Sequence, residues 1–254
     1  MNWGNFNNAY PYIAIPGHPI AMFYGHIFDG VYQYTDFDKV GESYILKDGV
    51  PNNGNAREKI QPGDIKFKDI NRDGVVNDYD LTIIGNPNPK HIGGFGNNFQ
   101  YKNFDLNVFF QWSYGGDVLN ANRIEFEGGD PNARTSLNMF ASFANRWTPE
   151  NQTNELYRIG GQGPAVYSSR TIEDGSFLRL KTVSLGYRLP NAWLKKINIK
   201  SLRVYASAQN LITWTRYSGP DPEVSTRPTA LTPSFDWSPY PRPRTLTLGV
   251  DISF

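Results

Sequence analysis

The strongest constraint in this sequence is the strict two-residue alternation of its last ten residues, 245–254. Apolar side chains occupy every second position and small or polar ones lie between them, which predicts a β-strand with two different faces. The apolar members are Leu246, Leu248, Val250, Ile252 and Phe254. Such a strand needs an apolar environment, either a protein core or lipid, on one side only.

Further segments carry the same alternation. Strands are predicted at residues 92–101, 104–114, 178–189 and 202–214, with a weaker sixth strand within 20–34. Only two residues separate the first two of these segments, which predicts a tight hairpin. In a membrane protein the lipid-facing set would be Phe104, Leu106, Val108, Phe110, Leu246, Leu248 and Val250. Arg179 and Lys181 share the apolar parity of their strand, so we expect that end to lie above any membrane.

The lengths of the connectors alternate along the chain. Long segments at 35–90, 115–175 and 215–242 alternate with short ones at 102–103 and 190–201. Outer-membrane barrels show this pattern, with long extracellular loops and short periplasmic turns, whereas a soluble β-sandwich has no reason to place every long loop at one end. The sequence therefore favours an all-β fold, an antiparallel transmembrane β-barrel segment of about six strands with long extracellular loops.

Composition excludes several classes of protein. Twenty-five basic and 24 acidic side chains leave a formal charge of +1, which argues against a nucleic-acid partner. With no cysteine and three scattered histidines, disulfides, thiol chemistry and His- or Cys-ligated metals are not expected. No apolar run of 18 residues and no secretory signal peptide is present. The loop acids Glu125, Glu127 and Asp130 are expected to be solvated rather than a glycosidase pair, so we predict no enzyme activity.

Residues 69–80 form the sharpest local motif. Oxygen-bearing groups occupy loop positions 1, 3, 5, 7, 9 and 12 with glycine at position 6, which is the spacing of an EF-hand calcium loop. The predicted ligands are Asp69, Asn71, Asp73, Val75 through its carbonyl, Asn77 and Asp80. Asp80 replaces the usual glutamate, and dockerin-type loops are similar in this respect. We expect structural Ca²⁺ here; the alternative is a turn-rich polar loop that binds no metal.

Two sets of motifs carry a family resemblance. The C-terminal residues Thr247, Gly249, Ile252 and Phe254 resemble the β-signal by which an outer-membrane assembly machinery recognises a last strand. Internal motifs in the order QPGDIKFKDINRDG, IGNPNPK, RWTPEN, EDGSFLRLK, GPDPE and YPRPRT resemble the C-terminal part of SusC/RagA-type TonB-linked outer-membrane transporters. This resemblance covers nearly the whole chain.

The resemblance implies a location and partners. It implies residence in the outer membrane within a plugged 22-strand barrel, and energised import of glycan or peptide oligomers. The implied partners are membrane lipid, a SusD-like surface lipoprotein, and TonB-ExbB-ExbD acting through an N-terminal part. With about six strands and no plug domain or signal peptide, residues 1–254 are expected to be a C-terminal part of such a receptor. The alternatives are a soluble calcium-binding, carbohydrate-binding β-sandwich and a surface adhesin.

Aromatic residues offer a further prediction. Six aromatic residues lie near predicted strand ends, and we expect them to form girdles at the membrane interfaces; the alternative is ordinary core packing. They are Tyr101, Phe104, Trp112, Tyr114, Tyr187 and Trp214. The loop aromatics have three alternative roles: stacking on sugar rings, packing within the loops, or contact with a lipoprotein partner. These residues are Trp147, Tyr157, Tyr167, Tyr217, Trp237 and Tyr240. Burial separates the two fold classes, because the apolar row of residues 245–254 faces outward in a barrel and inward in a sandwich.

Overall fold

A computed structural model describes residues 2–6, 9–128, 137–164, 167–195, 198–227 and 229–254. The chain forms two compact units. The loop unit comprises Met1–Asn88, Asp117–Glu173 and Val224–Pro239, and the sheet unit comprises Pro89–Gly116, Asp174–Glu223 and Tyr240–Phe254. None of the helices in the described ranges is long and apolar enough to cross a membrane.

The elements of the described residues are mostly strands. In chain order they are β1 (Asn2–Trp3), β2 (Tyr12–Ile13), β3 (Met22–Gly25), β4 (Phe28–Val31), β5 (Phe37–Val40), β6 (Ser43–Leu46), β7 (Ile65–Phe67), β8 (Thr82–Gly85), β9 (His91–Tyr101), β10 (Phe104–Tyr114), β11 (Asp117–Asn120), β12 (Ile172–Asp174), β13 (Phe177–Arg188), β14 (Ser201–Thr215), β15 (Phe235–Asp236) and β16 (Thr245–Ser253). Two short α-helices are α1 (Asn122–Gly128) and α2 (Asn191–Leu194). Short 3₁₀ turns lie at Tyr34–Asp36, Arg57–Lys59, Asp78–Asp80, Ala141–Asn145 and Ser169–Thr171.

The sheet unit contains one antiparallel sheet of five strands in the order β16-β14-β13-β10-β9. The predicted hairpin between β9 and β10 is confirmed: Tyr101 pairs with Phe104, and Lys102 turns the chain with a φ of 53°. The five strongest strand predictions are all found. Residues 20–34 do contain strands, but these are the short β3 and β4 of the loop unit and do not form a sixth strand of the sheet. The sheet therefore has five strands rather than about six.

A β-bulge changes which side chains of β13 share a face. Val108 of β10 pairs with Val183, but Phe110 pairs with Leu180, so one extra residue of β13 lies between these pairs. A one-residue shift moves the following side chains to the opposite face. Leu178 and Leu180 thus continue the apolar row, and the expectation that Arg179 shares that row was wrong. On β14 the exception Asn210 lies at the matching irregularity, with a φ of 51°.

The loop unit has its own apolar interior, although it consists largely of segments predicted as loops. One cluster of buried residues contains Tyr12, Ala21, Phe23, Leu119, Ala121, Ile124 and Phe235. A second contains Val31, Ile65, Phe67, Val76, Trp147, Leu156 and Tyr157, and a third contains Tyr32, Phe37, Leu46 and Ile60. Strands of two to four residues bring these side chains together through pairings distant in sequence, such as β11 with β15.

Candidate functional site

The sheet carries its apolar side chains on a face that the protein leaves uncovered. Register places Val204 beside Tyr187 of β13 and Val250 of β16, and Ala206 beside Leu185 and Leu248, so the apolar rows run across neighbouring strands. Leu185 and Val204 lie on interior strands, yet they are 48% and 46% exposed. Leu248 on the edge strand β16 is 86% exposed. The seven side chains predicted to face lipid share this apolar face, as the register of β10 and β16 requires.

The opposite face is polar and internally bonded. Nη2 of Arg203 on β14 lies 2.6 Å from Oδ2 of Asp105 on β10, and Nη1 lies 3.3 Å from Oδ2 of Asp251 on β16. Strand β13 runs between β14 and β10, and Gly186 leaves the space that this pair occupies. A Cβ atom at Gly186 would lie 2.5 Å from Nε of Arg203. The polar face thus links three strands through one guanidinium.

A second arginine occupies the other end of the polar face. Arg179 is 2% exposed, with Nη2 2.5 Å from Oδ1 of Asp221, Nη1 3.0 Å from Oε2 of Glu223, and Nε donating to Oγ1 of Thr213 at 3.0 Å. Arg242 contacts the same two carboxylates from the segment that leads into β16. Sequence reasoning missed Arg179, because counting by twos from Val183 and Leu185 across the break at Lys181 and Thr182 assigned Arg179 to the apolar face.

The aromatic residues predicted at strand ends form two groups at opposite ends of the sheet. The short-turn end, where β10 begins, holds Tyr101, Phe104 and Tyr187, with the rings of Phe104 and Tyr187 4.6 Å apart. The long-loop end, where β10 finishes, holds Trp112, Tyr114 and Trp214. This separation is the geometry that two girdles require.

The predicted β-signal lies on the edge strand β16 and the residue after it. Gly249 pairs with Tyr205 of β14, and a Cβ atom at Gly249 would lie 2.3 Å from Cζ of the Tyr205 ring. Glycine at this position therefore lets an aromatic ring of the neighbouring strand pack over β16. Thr247 shares the face of Gly249, Ile252 belongs to the apolar row, and Phe254 is exposed. Recognition of these residues by an assembly machinery stays a prediction.

The predicted calcium loop is closed by its own backbone amides. Asp69 accepts from the amides of Arg72 and Gly74, at 2.6 and 2.8 Å. Asp80 is fully buried and accepts from Ile70 and Asn77. The remaining predicted ligands are also engaged, Asn71 and Asp73 with each other, Val75 through its carbonyl with Asn77, and Asn77 with Tyr79. Within the described ranges, no group of three or more His, Cys, Asp or Glu side chains is arranged to hold a metal ion.

Of the three loop acids, Glu125 and Glu127 lie within the described residues, on α1. Glu127 bonds Arg123, Arg170 and Ser142, at 2.9, 2.6 and 2.7 Å. Burial raises the pKa of Glu127, but these three neighbours outweigh burial and hold its pKa below the usual range. Glu125 lies two residues away on α1 and so points in a different direction around the helix. Asp130 lies outside the described residues.

Most of the loop aromatics are used in packing. Trp147 and Tyr157 belong to the second buried cluster of the loop unit, and burial raises the pKa of Tyr157. Tyr167 donates to the carbonyl of Tyr24 at 2.6 Å. Tyr217 is buried, Trp237 packs partly against the first cluster, and Tyr240 is almost fully exposed. Loop packing therefore accounts for all of these residues except Tyr240.

Known proteins resemble this chain over almost its whole length. TonB-dependent receptor P3 of Formosa agariphila is 36% identical over 256 residues, which covers 99% of this chain and 24% of the relative. TonB-dependent receptor SusC of Bacteroides thetaiotaomicron is 32% identical over 200 residues, which covers 78% of this chain and 18% of the relative. The chain thus spans about a quarter of these curated relatives or less. No family model matches it.

Solved structures share the fold. The structure of the RagAB peptide transporter superposes with a TM-score of 0.67 at 23% identity, covering 96% of this chain and 24% of that chain. The RagAB peptide importer in its open-open state gives 0.65 at 24% identity, covering all of this chain and 25% of that one. The fold class predicted from the sequence, a segment of an antiparallel β-barrel, is confirmed. Sequence and fold agree that the chain belongs to the SusC/RagA family of TonB-dependent receptors.

Proposed function

We propose that this chain is part of an outer-membrane transporter that imports glycan or peptide oligomers with energy from the TonB-ExbB-ExbD system. One observation carries the proposal: the sheet exposes its apolar face and bonds its polar face internally. A soluble β-sandwich requires the reverse, because its apolar rows form the core between two layers. Exposed apolar rows are instead what a lipid-facing barrel wall requires.

Strand length supports the same proposal. Strands β9 and β10 each have 11 residues. At about 3.3 Å per residue and a tilt near 45°, eleven residues cross roughly 25 Å, the height of the apolar band of an outer-membrane barrel. The SusD-like lipoprotein belongs to the same proposal. Its support is the likeness to SusC and to the RagAB importer, a protein whose name describes peptide import.

Uptake assays test the transport role. Deleting the gene should abolish accumulation of a labelled glycan or peptide oligomer and leave accumulation of its monomer unchanged, and restoring the gene should restore uptake. Collapse of the proton-motive force should stop oligomer uptake in the restored strain. Oligomer uptake that survives either the deletion or the uncoupler would contradict the proposal. Copurification with a surface lipoprotein tests the partner separately.

For the loop at residues 69–80 we propose structural calcium binding. The support is the ligand spacing, together with a loop already folded so that its carboxylates face inward onto backbone amides. Each carboxylate oxygen carries more than one lone pair. An oxygen that accepts a hydrogen bond from a backbone amide can therefore still bind a cation. The role of the ion would be to fix the loop unit, with no part in chemistry.

A further inference from the structure

A cavity of about 700 Å³ lies at the long-loop end of the sheet and is lined only by residues of the sheet unit. Trp112, Leu178 and Trp214 are adjacent in register on three neighbouring strands, and all three belong to the exposed apolar face. Two indole rings therefore line a cavity where the apolar rows end. The two indoles and Leu178 line the cavity from the apolar face, which is the face away from the lumen that the proposed transport uses.

The aromatic side of the cavity is held in a fixed geometry. Trp112 packs over Gly93 of β9, where a Cβ atom would lie 2.4 Å from the indole ring. Its Nε1 donates to Nδ1 of His91 at 3.1 Å, and the His91 ring stacks on Tyr114 with centroids 5.1 Å apart. These contacts orient the indole before any ligand arrives, which lowers the cost of binding.

Two charged side chains line the cavity, Arg216 and Asp174, and only Arg216 is suited to an anion. Arg216 is exposed, and it forms no ion pair or hydrogen bond with any residue that the structure describes. The carboxylate of Asp174 instead accepts the amide of Ser176 at 2.9 Å. A guanidinium free of partners is suited to bidentate binding of a phosphate.

The position of the cavity relative to the apolar rows indicates whether its ligand is a soluble molecule or a lipid. Leu180, Phe110 and Ile212 form the next apolar row along the sheet, directly below the cavity. From Phe104 to Tyr114 the strand rises about 34 Å, or roughly 24 Å across a membrane at 45° tilt, so the cavity lies at the edge of the apolar band. A ligand that fills the cavity and covers the row below it is amphiphilic.

We propose that this cavity binds the phosphorylated sugar headgroup of a glycolipid of the outer leaflet, with its acyl chains along the apolar rows. The guanidinium of Arg216 binds the phosphate, and the indoles of Trp112 and Trp214 contact the sugar rings. A glycerophospholipid supplies the phosphate but no ring for the indoles, and a soluble sugar supplies no chains for the rows. The inference rests on the proposed outer-membrane location, but it concerns the outer wall rather than the transport path.

The test measures binding of lipid A carrying both phosphates to the protein as made in its outer membrane and purified in a non-ionic detergent. Arg216→Ala should raise the dissociation constant at least tenfold, the loss expected for one charge-assisted hydrogen bond. Arg244→Ala is the matched control, since Arg244 is an exposed arginine of the same unit outside the cavity, and it should leave the constant unchanged. Heat-modifiable gel mobility checks that each variant is folded.

Two further probes separate the ligand classes. Lipid A without phosphates should bind the wild type as weakly as phosphorylated lipid A binds Arg216→Ala, and Arg216→Ala should weaken it no further. The soluble phosphorylated disaccharide should bind at least tenfold more weakly than the lipid. Equal binding by Arg216→Ala, equal loss in Arg244→Ala, or disaccharide binding as tight as the lipid's would each overturn the inference. Failure of the wild-type protein to bind phosphorylated lipid A, with oligomer uptake retained, would overturn this inference alone, whereas absence of the protein from the outer membrane would overturn the proposed function.

Discussion

Arg179→Met tests whether burial sets the strength of the ion pairs at the long-loop end of the polar face. Methionine keeps most of the side-chain volume and removes the charge. Breaking a buried pair by removing one partner costs about 3–5 kcal/mol when the other charge is left uncompensated. Here Arg242 stays 3.2 Å from Asp221 and 2.7 Å from Glu223, so the two acids keep one cation. We therefore expect a loss of about 2–3 kcal/mol in the free energy of unfolding.

Arg242→Ala is the matched comparison, because it removes the other cation from the same two carboxylates. The Arg242 side chain is 43% exposed, whereas that of Arg179 is 2% exposed. Solvent screens an exposed pair, so we expect Arg242→Ala to cost only about 0–1 kcal/mol. Urea unfolding in lipid vesicles, followed by tryptophan fluorescence, measures both variants. Equal losses would refute the reasoning, because burial would then not decide which arginine matters.

Three further predictions concern the polar face and the loop unit. Gly186→Ala should destabilise the sheet by about 1–3 kcal/mol in the same assay, because the new methyl group displaces the guanidinium of Arg203; an unchanged midpoint would contradict the close approach. Glu127→Gln should destabilise the protein at neutral pH. Because its folded-state pKa lies below its usual 4.5, the difference from wild type should vanish as pH falls through that lower pKa, and a pH-independent difference would contradict the assignment. Calcium should raise the melting temperature of the protein and Asp73→Ala should abolish the rise, whereas chelator-insensitive melting of the wild type would contradict the calcium site.

The alternation of apolar residues predicted the five long strands because each strand's face is set locally, by side chains two residues apart. The bulge in β13 interrupts this alternation, because Lys181 and Thr182 are consecutive polar residues between Leu180 and Val183, and it changes the pairing with both β10 and β14. A second local signal is Asn210, which interrupts the alternation of β14 beside the bulge. Local parity therefore predicts strands, whereas faces beyond a bulge need the register.

The loop unit could not be predicted for a different reason. Its strands are only two to four residues long, too short for alternation to be detected, and they form through pairings such as Leu119 with Phe235. The calcium-like motif was visible because it is contiguous in sequence. The residues that close this loop from outside are distant in sequence and were not visible in the same way. Asn52, for example, accepts a hydrogen bond from the backbone amide of Val76. Contiguous motifs are thus readable from the sequence, and a core assembled from distant segments is not.

The polar face of the sheet must specify the strand register, because the apolar face does not. Hydrocarbon would solvate every apolar row of this sheet equally, so lipid contact alone does not distinguish one strand register from a slipped one. An ion pair does distinguish the correct register from a slipped one. A two-residue slip of β14 would shift the guanidinium of Arg203 by about 7 Å relative to Asp105 and break the pair. Arg203 at the short-turn end and Arg179 at the long-loop end tie non-adjacent segments at both ends of the sheet. The two arginines therefore fix the strand register as well as stabilising the sheet. Loss of both arginines should allow strand slippage that neither single loss permits.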